Sequence, residues 1–493
     1  MAQNDHESRH LETLDRDLGR FSNLEMAASY VSRPLVGPGI AFVFIMLAGL
    51  AAALSLGQTS NTLMVVIAAT FGAYMALNIG ANDVANNMGP AVGANAMTMG
   101  GAIVIAAIFE SAGALIAGSD VVSTISKGIV APDSIGESSV FIWAMMAALL
   151  SSALWVNLAT WIGAPVSTTH SVVGGVMGAG IAAAGFGAIN WGMMGAIAAS
   201  WVISPVLGGL SAAGFLWFIK ARIIYQPDKI AAARKWVPVL VGIMAGAYAA
   251  YLPLKGMKNL VKISLSGAVL LGLGIGVGTW LVMIPVVRRQ SRGLENRNKS
   301  LKALFAIPLV VSAALLSFAH GANDVANAVG PLAAIVQASQ TGDFTHDVAI
   351  PYWVMLIGAF GISFGLFLFG PKLIRMVGSQ ITKLNPMRAF CVALSAALTV
   401  IVASWLGLPV SSTHIAVGAI FGVGFFREWD AERRLRLAQD DADRPRIPPE
   451  ERRRRKLVRR SHVMTIAAAW VITVPAAALL SALIFLAIRM ATG

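Results

Sequence analysis

Residues 80–90, Gly-Ala-Asn-Asp-Val-Ala-Asn-Asn-Met-Gly-Pro, recur with few changes as residues 321–331, Gly-Ala-Asn-Asp-Val-Ala-Asn-Ala-Val-Gly-Pro. A match this long and this specific indicates an internal duplication. Each copy follows an apolar run that enters a membrane, and each places a carboxylate, Asp83 or Asp324, between asparagines. An ionisable side chain at membrane depth is costly and marks a functional site by default.

A second stretch is also shared by the two halves. Residues 165–170 read Pro-Val-Ser-Thr-Thr-His, and residues 409–414 read Pro-Val-Ser-Ser-Thr-His. Proline suits the first turn of a helix, whose N-terminus carries unpaired N–H groups and the positive end of the helix dipole. A lone Ser-Thr-Thr usually only caps a helix, but two such helix starts, one from each half, favour an anion site. The candidate anion ligands are Ser167, Thr168, Thr169, Ser411, Ser412 and Thr413.

The first motif predicts a cation site. Its glycines and closing Gly-Pro interrupt the hydrogen bonding of a helix and free backbone groups. Side-chain oxygens then lie across one helical turn, as hard ligands that suit Na⁺ or a carboxylate that carries a proton. The candidate cation ligands are Asn82, Asp83, Asn86, Asn323, Asp324 and Asn327. His170 and His414 fit a role with substrate or proton and a purely structural role equally well.

Composition places the chain in a membrane. It is 57% hydrophobic and 12% charged, with a mean hydropathy of +0.72, which a soluble domain does not reach. The apolar runs have helical length, which predicts an all-α polytopic protein with about 12–13 membrane segments. The net charge of +13 lies in loops beside these runs, so it indicates cytoplasmic anchoring and no nucleic-acid partner.

The apolar runs and loops divide the chain into five regions. The basic loops 220–235, 288–302 and 427–462 are expected in the cytoplasm, together with the N-terminus, in a bacterial inner (plasma) membrane. The first motif is then approached from outside and the second from the cytoplasm. Such inverted repeats with discontinuous helices are typical of secondary transporters. The regions are an N-terminal cytoplasmic or interfacial extension (1–35), an extra transmembrane helix (36–61), the first inverted repeat (62–218), linking helices and cytoplasmic loops (219–302) and the second repeat (303–493, including loop 427–462).

The duplicated motifs resemble those of the inorganic phosphate transporter (PiT) family, which includes sodium–phosphate symporters. The similarity covers most of residues 62–490. It implies inward transport of phosphate coupled to Na⁺, or to H⁺ in some bacterial members, by alternating access. It also implies that phosphate is held at the half-helix N-termini and the cations near the Asp-Asn motifs, with no further cofactor.

One position departs from the family pattern. Sodium-coupled members typically carry an intramembrane glutamate downstream of each motif. Glu110 matches the first, whereas the position that matches the second is Ala393. This leaves both Na⁺ and H⁺ open as the coupling ion, and sulfate open as the anion, because some bacterial relatives are sulfate permeases. Glu110, His170 and His414 are candidates for coupling or gating.

Two alternatives belong to other classes. Asp, Asn and His also ligate metals, so a divalent-metal transporter is a rival, although paired helix N-termini favour an anion. A membrane scaffold or receptor would need large extramembrane domains, which this chain lacks. No nucleophile–base pair or cofactor loop points to an enzyme. The expected partners are phosphate, the cation and the bilayer, and a homodimer is compatible with the sequence.

Overall fold

The structure is a computed structural model that describes residues 35–56, 62–131, 134–162, 166–256, 263–341, 350–380, 384–439 and 460–492. These ranges are helical apart from connecting loops and one isolated β-bridge. The helices are α1 Leu35–Leu56, α2 Thr62–Asn82, α3 Val84–Gly93, α4 Met99–Ala117, α5 Ser119–Ser123, α6 Ser138–Ile162, α7 Thr168–Ala184, α8 Trp191–Ile219, α9 Lys229–Tyr251, α10 Leu265–Gln290, α11 Asn298–Leu304, α12 Ala306–Asp324, α13 Ala326–Thr341, α14 Tyr352–Gln380, α15 Pro386–Trp405, α16 Ser412–Gln439 and α17 Arg460–Thr492.

The described residues contain 11 helical segments that are long and apolar enough to cross a membrane. The shorter α7 and the apolar first half of α16 add two segments embedded among these spans. The all-α, polytopic fold predicted from composition is therefore confirmed.

Both copies of the first motif interrupt a long helix. The break between α2 and α3 falls on Asp83, and the break between α12 and α13 falls on Val325. The helices continue through Pro90 and Pro331, so the Gly-Pro end of each motif does not end the helix. Each proline still removes one N–H, and so leaves the carbonyl four residues earlier without its helical donor.

The second motif forms the tip of a re-entrant hairpin in each half. Val130, ahead of α6, pairs with Ile189, behind α7, so both open ends of the α6–α7 hairpin lie on one face. Helix α8 starts on that face and ends at Lys220. Lys220 Nζ lies 2.7 Å from Asp430 Oδ2 on α16, so the α15–α16 hairpin opens to the opposite face. The two hairpins therefore enter from opposite sides.

Each half packs one helix against the other half through a glycine. Helix α14 packs on α2, and α4 packs on α12. A Cβ at Gly80 would lie 1.9 Å from the Ile362 carbonyl oxygen, and one at Gly321 would lie 2.1 Å from that of Glu110. Only glycine allows backbones to approach this closely. The matched contacts also pair Glu110 with Ile362 as equivalent positions.

The axis that relates the halves passes between α4 and α14. The Oγ atoms of Ser111 and Ser363 lie 2.7 Å apart. Ser363 donates to the Ala107 carbonyl at 3.1 Å, and Ser111 donates to the Ala359 carbonyl at 3.4 Å. This reciprocal exchange is expected for equivalent residues that meet on a two-fold axis.

The basic regions predicted as loops contain helix, including the start of α9 within 220–235 and most of α11 within 288–302. Between α4 and α6, α5 is followed by a π-helical turn at Thr124–Gly128, where Ile125 packs against Gly330. The first part of loop 427–462 continues α16 as far as Gln439, held to α8 by Asp430. The rest of that loop up to residue 459, and the N-terminal extension up to residue 34, lie outside the described residues.

Candidate substrate and cation site

Asp83 joins the tips of the two hairpins. Thr168 donates to its Oδ2 at 2.6 Å, and Thr413 donates to its Oδ1 at 3.0 Å. All three side chains are buried. One carboxylate from the first half therefore holds a hydroxyl from each hairpin, although the hairpins enter from opposite faces.

Asp324 occupies the equivalent position in the second half but has different partners. Ser412 donates to its Oδ2 at 3.2 Å, and His320 Nε2 lies 2.9 Å from the same oxygen. Its Oδ1 is buried and has no hydrogen-bond partner among the described residues. Ligating atoms of Asp83, His320 and Asp324 all lie within 4.8 Å of one another, a spacing that one cation can bridge.

The third polar residue of each motif reaches across to the opposite hairpin. Asn86 donates to Thr413 Oγ1 at 2.9 Å, and Asn327 donates to Thr168 Oγ1 at 3.2 Å and to Thr169 Oγ1 at 3.1 Å. The backbone carbonyls of the same two asparagines also lack a helical hydrogen-bond donor, because Pro90 and Pro331, four residues later, have no N–H. The buried Asn327 Oδ1 has no partner among the described residues and can serve a cation.

The first asparagine of each motif braces a hairpin. Asn82 donates to Thr160 Oγ1 at 2.8 Å, and Asn323 donates to Ser404 Oγ at 2.9 Å. Asn323 Oδ1 also accepts from the backbone N–H of Val410 at 3.2 Å. Both residues lie in the predicted cluster, but this contact leaves Asn323 less free than Asn82 to hold a cation.

Ser167 and Ser411 cap the hairpin helices. Ser167 Oγ accepts from the backbone N–H of His170 at 3.1 Å, and Ser411 Oγ accepts from that of His414 at 3.3 Å. An N-cap uses an oxygen lone pair and not the hydroxyl hydrogen. Both serines therefore cap their helices, as a lone motif would, and the two helix starts also meet at one site.

His170 and His414 meet just behind the hairpin tips. Their ring centroids lie 4.4 Å apart in an edge-to-face arrangement, and the ring of Trp201 lies 3.9 Å from that of His170. Trp201 also donates to the Pro409 carbonyl at 3.0 Å. The two histidines thus join the hairpins just behind the tips that contact Asp83.

Glu110 reaches the site through a residue that the duplicated motifs did not reveal. Its Oε2 contacts His320 Nδ1, and its Oε1 accepts from Asn87 at 2.8 Å. Both nitrogens of the His320 ring face carboxylates, and an imidazole can donate to both only when it is protonated. Glu110, His320 and Asn87 are completely buried.

This polar chain exists in one half only. Alignment of the motifs places Ile79 opposite His320 and Ala328 opposite Asn87. The glycine contacts place Ile362 opposite Glu110 within the repeat, so Ala393, which was matched to the family pattern, is not the repeat equivalent of Glu110. Ala393 is buried in α15. This helix belongs to the hairpin of the second half, so it is not the counterpart of α4.

The cluster carries more negative than positive charge. Asp83, Asp324 and Glu110 are all buried, and among the described residues that contact them His320 is the only basic side chain. Buried charges of one sign repel strongly in a medium of low dielectric constant. The site is therefore suited to bind cations.

The chain was compared with proteins of known family. Residues 79–481 match the model of the phosphate transporter family. A protein of Helicobacter pylori strain J99 named "Putative phosphate permease" is 44% identical, over 96% of this chain and 98% of its own length. A Pyrococcus abyssi protein with the same description is 36% identical, over 84% and 95%.

A solved structure also matches. It is described as the sodium-dependent phosphate transporter, and it is 35% identical with a TM-score of 0.78, over 87% of this chain and 99% of its own chain. The chain belongs to the phosphate transporter family, whose members are membrane transporters and not enzymes.

Proposed function

We propose that this protein imports inorganic phosphate together with Na⁺ by alternating access at the cluster around Asp83 and Asp324. The observation that carries the proposal is the meeting of both hairpin tips on Asp83, through Thr168 and Thr413. The solved relative, described as sodium-dependent, supports the choice of ion.

The anion would lie at the N-termini of α7 and α16. Phosphate carries about −1.5 to −2 charges near neutral pH, and two helix N-termini offer it unpaired N–H groups and favourable dipoles. The hydroxyls at these termini add donors. The proposed phosphate ligands are Ser167, Thr168, Thr169, Ser411, Ser412 and Thr413.

The cations would lie between the motif carboxylates. Asp83 and Asp324 are close enough to share the neighbourhood of one ion, and the buried oxygens of Asn82, Asp324 and Asn327 have no hydrogen-bond partner among the described residues. Oxygens that lack donors favour a hard cation. Cations that enter with phosphate would also offset its charge in a low-dielectric site.

A second candidate function is divalent-metal transport. Asp83, His320 and Asp324 form a group that could ligate a metal ion. Both His320 nitrogens already face carboxylates, which favours a cationic link over a metal ligand. A sulfate permease of the same fold is the alternative within the anion class.

We further propose that the protein lies in the bacterial inner membrane with its N-terminus in the cytoplasm. The basic residues that follow α8, lie in the first turns of α9 and follow α10 are all on the face where Lys220 meets Asp430. Positive charge in short loops is retained on the cytoplasmic side. The α15–α16 hairpin would then open to the cytoplasm and the α6–α7 hairpin to the outside.

Uptake of radiolabelled phosphate into proteoliposomes tests the proposal. We expect uptake under an inward Na⁺ gradient, none when K⁺ replaces Na⁺, and little inhibition by excess sulfate. Uptake driven by a pH gradient alone would replace Na⁺ with H⁺. Strong sulfate competition would indicate the sulfate alternative, and metal uptake that is independent of phosphate would overturn the proposal.

A further inference from the structure

The hydroxyls proposed to hold phosphate are already engaged as donors. Thr168 gives its hydrogen to Asp83 Oδ2 at 2.6 Å, and Thr413 gives its hydrogen to Oδ1 of the same carboxylate at 3.0 Å. Both carboxylate oxygens are therefore occupied, one by each hairpin. The Asp83 carboxylate thus accepts from the two hydroxyls that a bound phosphate oxygen would otherwise use.

A hydroxyl group has one hydrogen and two lone pairs. The lone pairs of Thr413 and Thr168 accept from Asn86 and Asn327, at 2.9 and 3.2 Å. Their hydrogens can point to Asp83 or to an anion, but not to both. Asp83 and phosphate therefore compete for the same two donors.

We propose that Na⁺ couples to phosphate by displacing these two hydroxyl hydrogens from Asp83. This inference rests on the proposed function. A Na⁺ ion at Asp83 would take over the carboxylate oxygens and could also bind the lone pairs of the Thr168 and Thr413 oxygens. Each hydroxyl would then turn its hydrogen to the anion, so Na⁺ at Asp83 creates two donors for phosphate.

The contacts around Asp324 locate this exchange at Asp83. Only Ser412 donates to Asp324, at the longer distance of 3.2 Å, and His320 takes the second place. Thr169, the counterpart of Thr413, donates to the Val410 carbonyl at 3.0 Å. A cation at Asp324 would therefore release at most one hydroxyl, whereas a cation at Asp83 releases one from each hairpin.

The mechanism differs from simple charge attraction in a way that substitutions can reveal. Replacing Thr168 and Thr413 by valine removes both hydroxyls but keeps every charged group. If Na⁺ assists phosphate only by attraction, the valine variant keeps the assistance. If the hydroxyl exchange carries it, the assistance is lost.

Equilibrium binding of radiolabelled phosphate to the purified full-length protein measures this directly. The Kd for phosphate is determined at low and at saturating Na⁺, with K⁺ keeping the ionic strength constant. For the wild type we expect Na⁺ to lower the Kd by about tenfold or more, within the usual range of coupling between sites. In the double variant Thr168→Val, Thr413→Val we expect the two Kd values to agree within about twofold.

Three controls make the result decisive. The double variant Thr168→Ser, Thr413→Ser keeps both hydroxyls and should keep the wild-type ratio of Kd values. Thr399→Val removes a hydroxyl that donates to the Ser395 carbonyl on α15, away from the site, and should also keep it. If the double valine variant binds phosphate too weakly to measure, the single valine variants decide, because each should lose about half of the coupling free energy.

An undiminished Na⁺ effect in the valine variants that bind phosphate would overturn the hydroxyl exchange and leave the proposed function intact. A wild type that binds no phosphate at any Na⁺ concentration would instead overturn the proposed function.

Discussion

Two equivalent residues of the repeat, Asp83 and Asp324, have acquired different surroundings. Asp83 accepts from two threonines, whereas Asp324 faces Ser412 and His320. The difference begins one residue before each motif, where one copy has Ile79 and the other His320. The two carboxylates are therefore not interchangeable, although the sequence around them is nearly the same.

The buried Glu110–His320 pair can be tested by replacing both residues with isoleucine, which is found at the equivalent positions of the other half. His320→Ile leaves the buried Glu110 without a basic partner, which typically costs about 3–5 kcal/mol of stability, whereas Glu110→Ile leaves His320 with Asp324 alone and should cost less. The double variant reproduces the apolar pair Ile362 and Ile79, so we expect it to recover most of that loss. Denaturation of the purified protein in detergent, analysed as a double-mutant cycle, measures the recovery.

Losses that simply add in the double variant would show that the two residues act independently. Ile79→Val changes a buried residue at the position equivalent to His320 and serves as the matched control. It should cost only about 0.5–1.5 kcal/mol of stability.

The same comparison explains what the sequence could and could not predict about the site. Asp83, Thr168 and Thr413 were found because each occurs in a motif that is present twice. The motif shared by the two copies does not indicate roles for His320 and Asn87, because the equivalent positions hold Ile79 and Ala328. The useful signal was the difference between the copies: a polar residue in an apolar run where its counterpart is aliphatic.

At the scale of helices, glycines determine how the halves interlock. A Cβ at Gly365 of α14 would lie 2.0 Å from the Leu77 carbonyl oxygen on α2, and the equivalent Cβ at Gly113 would lie 2.0 Å from that of Phe318 on α12. Helices packed at this distance cannot slide past one another. They form a rigid support that fixes the positions of Asp83 and Asp324 at the helix breaks.

A pair of glycine substitutions tests this support. Gly365→Ala forces a methyl group against backbone, so we expect a loss of more than about 1–3 kcal/mol in stability. Gly278→Ala on α10 is the control, because no atom lies within 4 Å of the added methyl. Alanine also favours a helix over glycine by about 0.5–1 kcal/mol. Thermal unfolding in detergent compares them, and equal stability of both variants would contradict the account.

The helix-scale predictions from sequence succeeded where a pattern was local. Apolar length predicted the spans, and the paired motifs predicted helix starts at Ser167 and Ser411. The return of each hairpin to its own face was not predicted, because it depends on distant contacts such as the Val130–Ile189 bridge. The glycines and the Gly-Pro indicated where helix hydrogen bonding is weakened, but not that the helix breaks fall on Asp83 and Val325.

At the scale of the molecule, the inverted repeat brings two hairpins from opposite faces to one site. The hairpins open to opposite faces, their tips meet on Asp83, and the halves cross at Ser111 and Ser363. A site shared by two inverted halves is the arrangement that is typical of secondary transporters. Because the ligands proposed for the anion and for the cation are interleaved there, we expect phosphate and Na⁺ to cross the membrane together.

The most direct test of joint transport reverses the usual driving force. Proteoliposomes with equal Na⁺ on both sides receive an inward phosphate gradient, and entry of radiolabelled Na⁺ is measured. We expect the phosphate gradient to drive net Na⁺ uptake, and we expect Asp324→Asn to abolish it. Phosphate entry without any Na⁺ accumulation in the wild type would contradict coupled transport through a shared site.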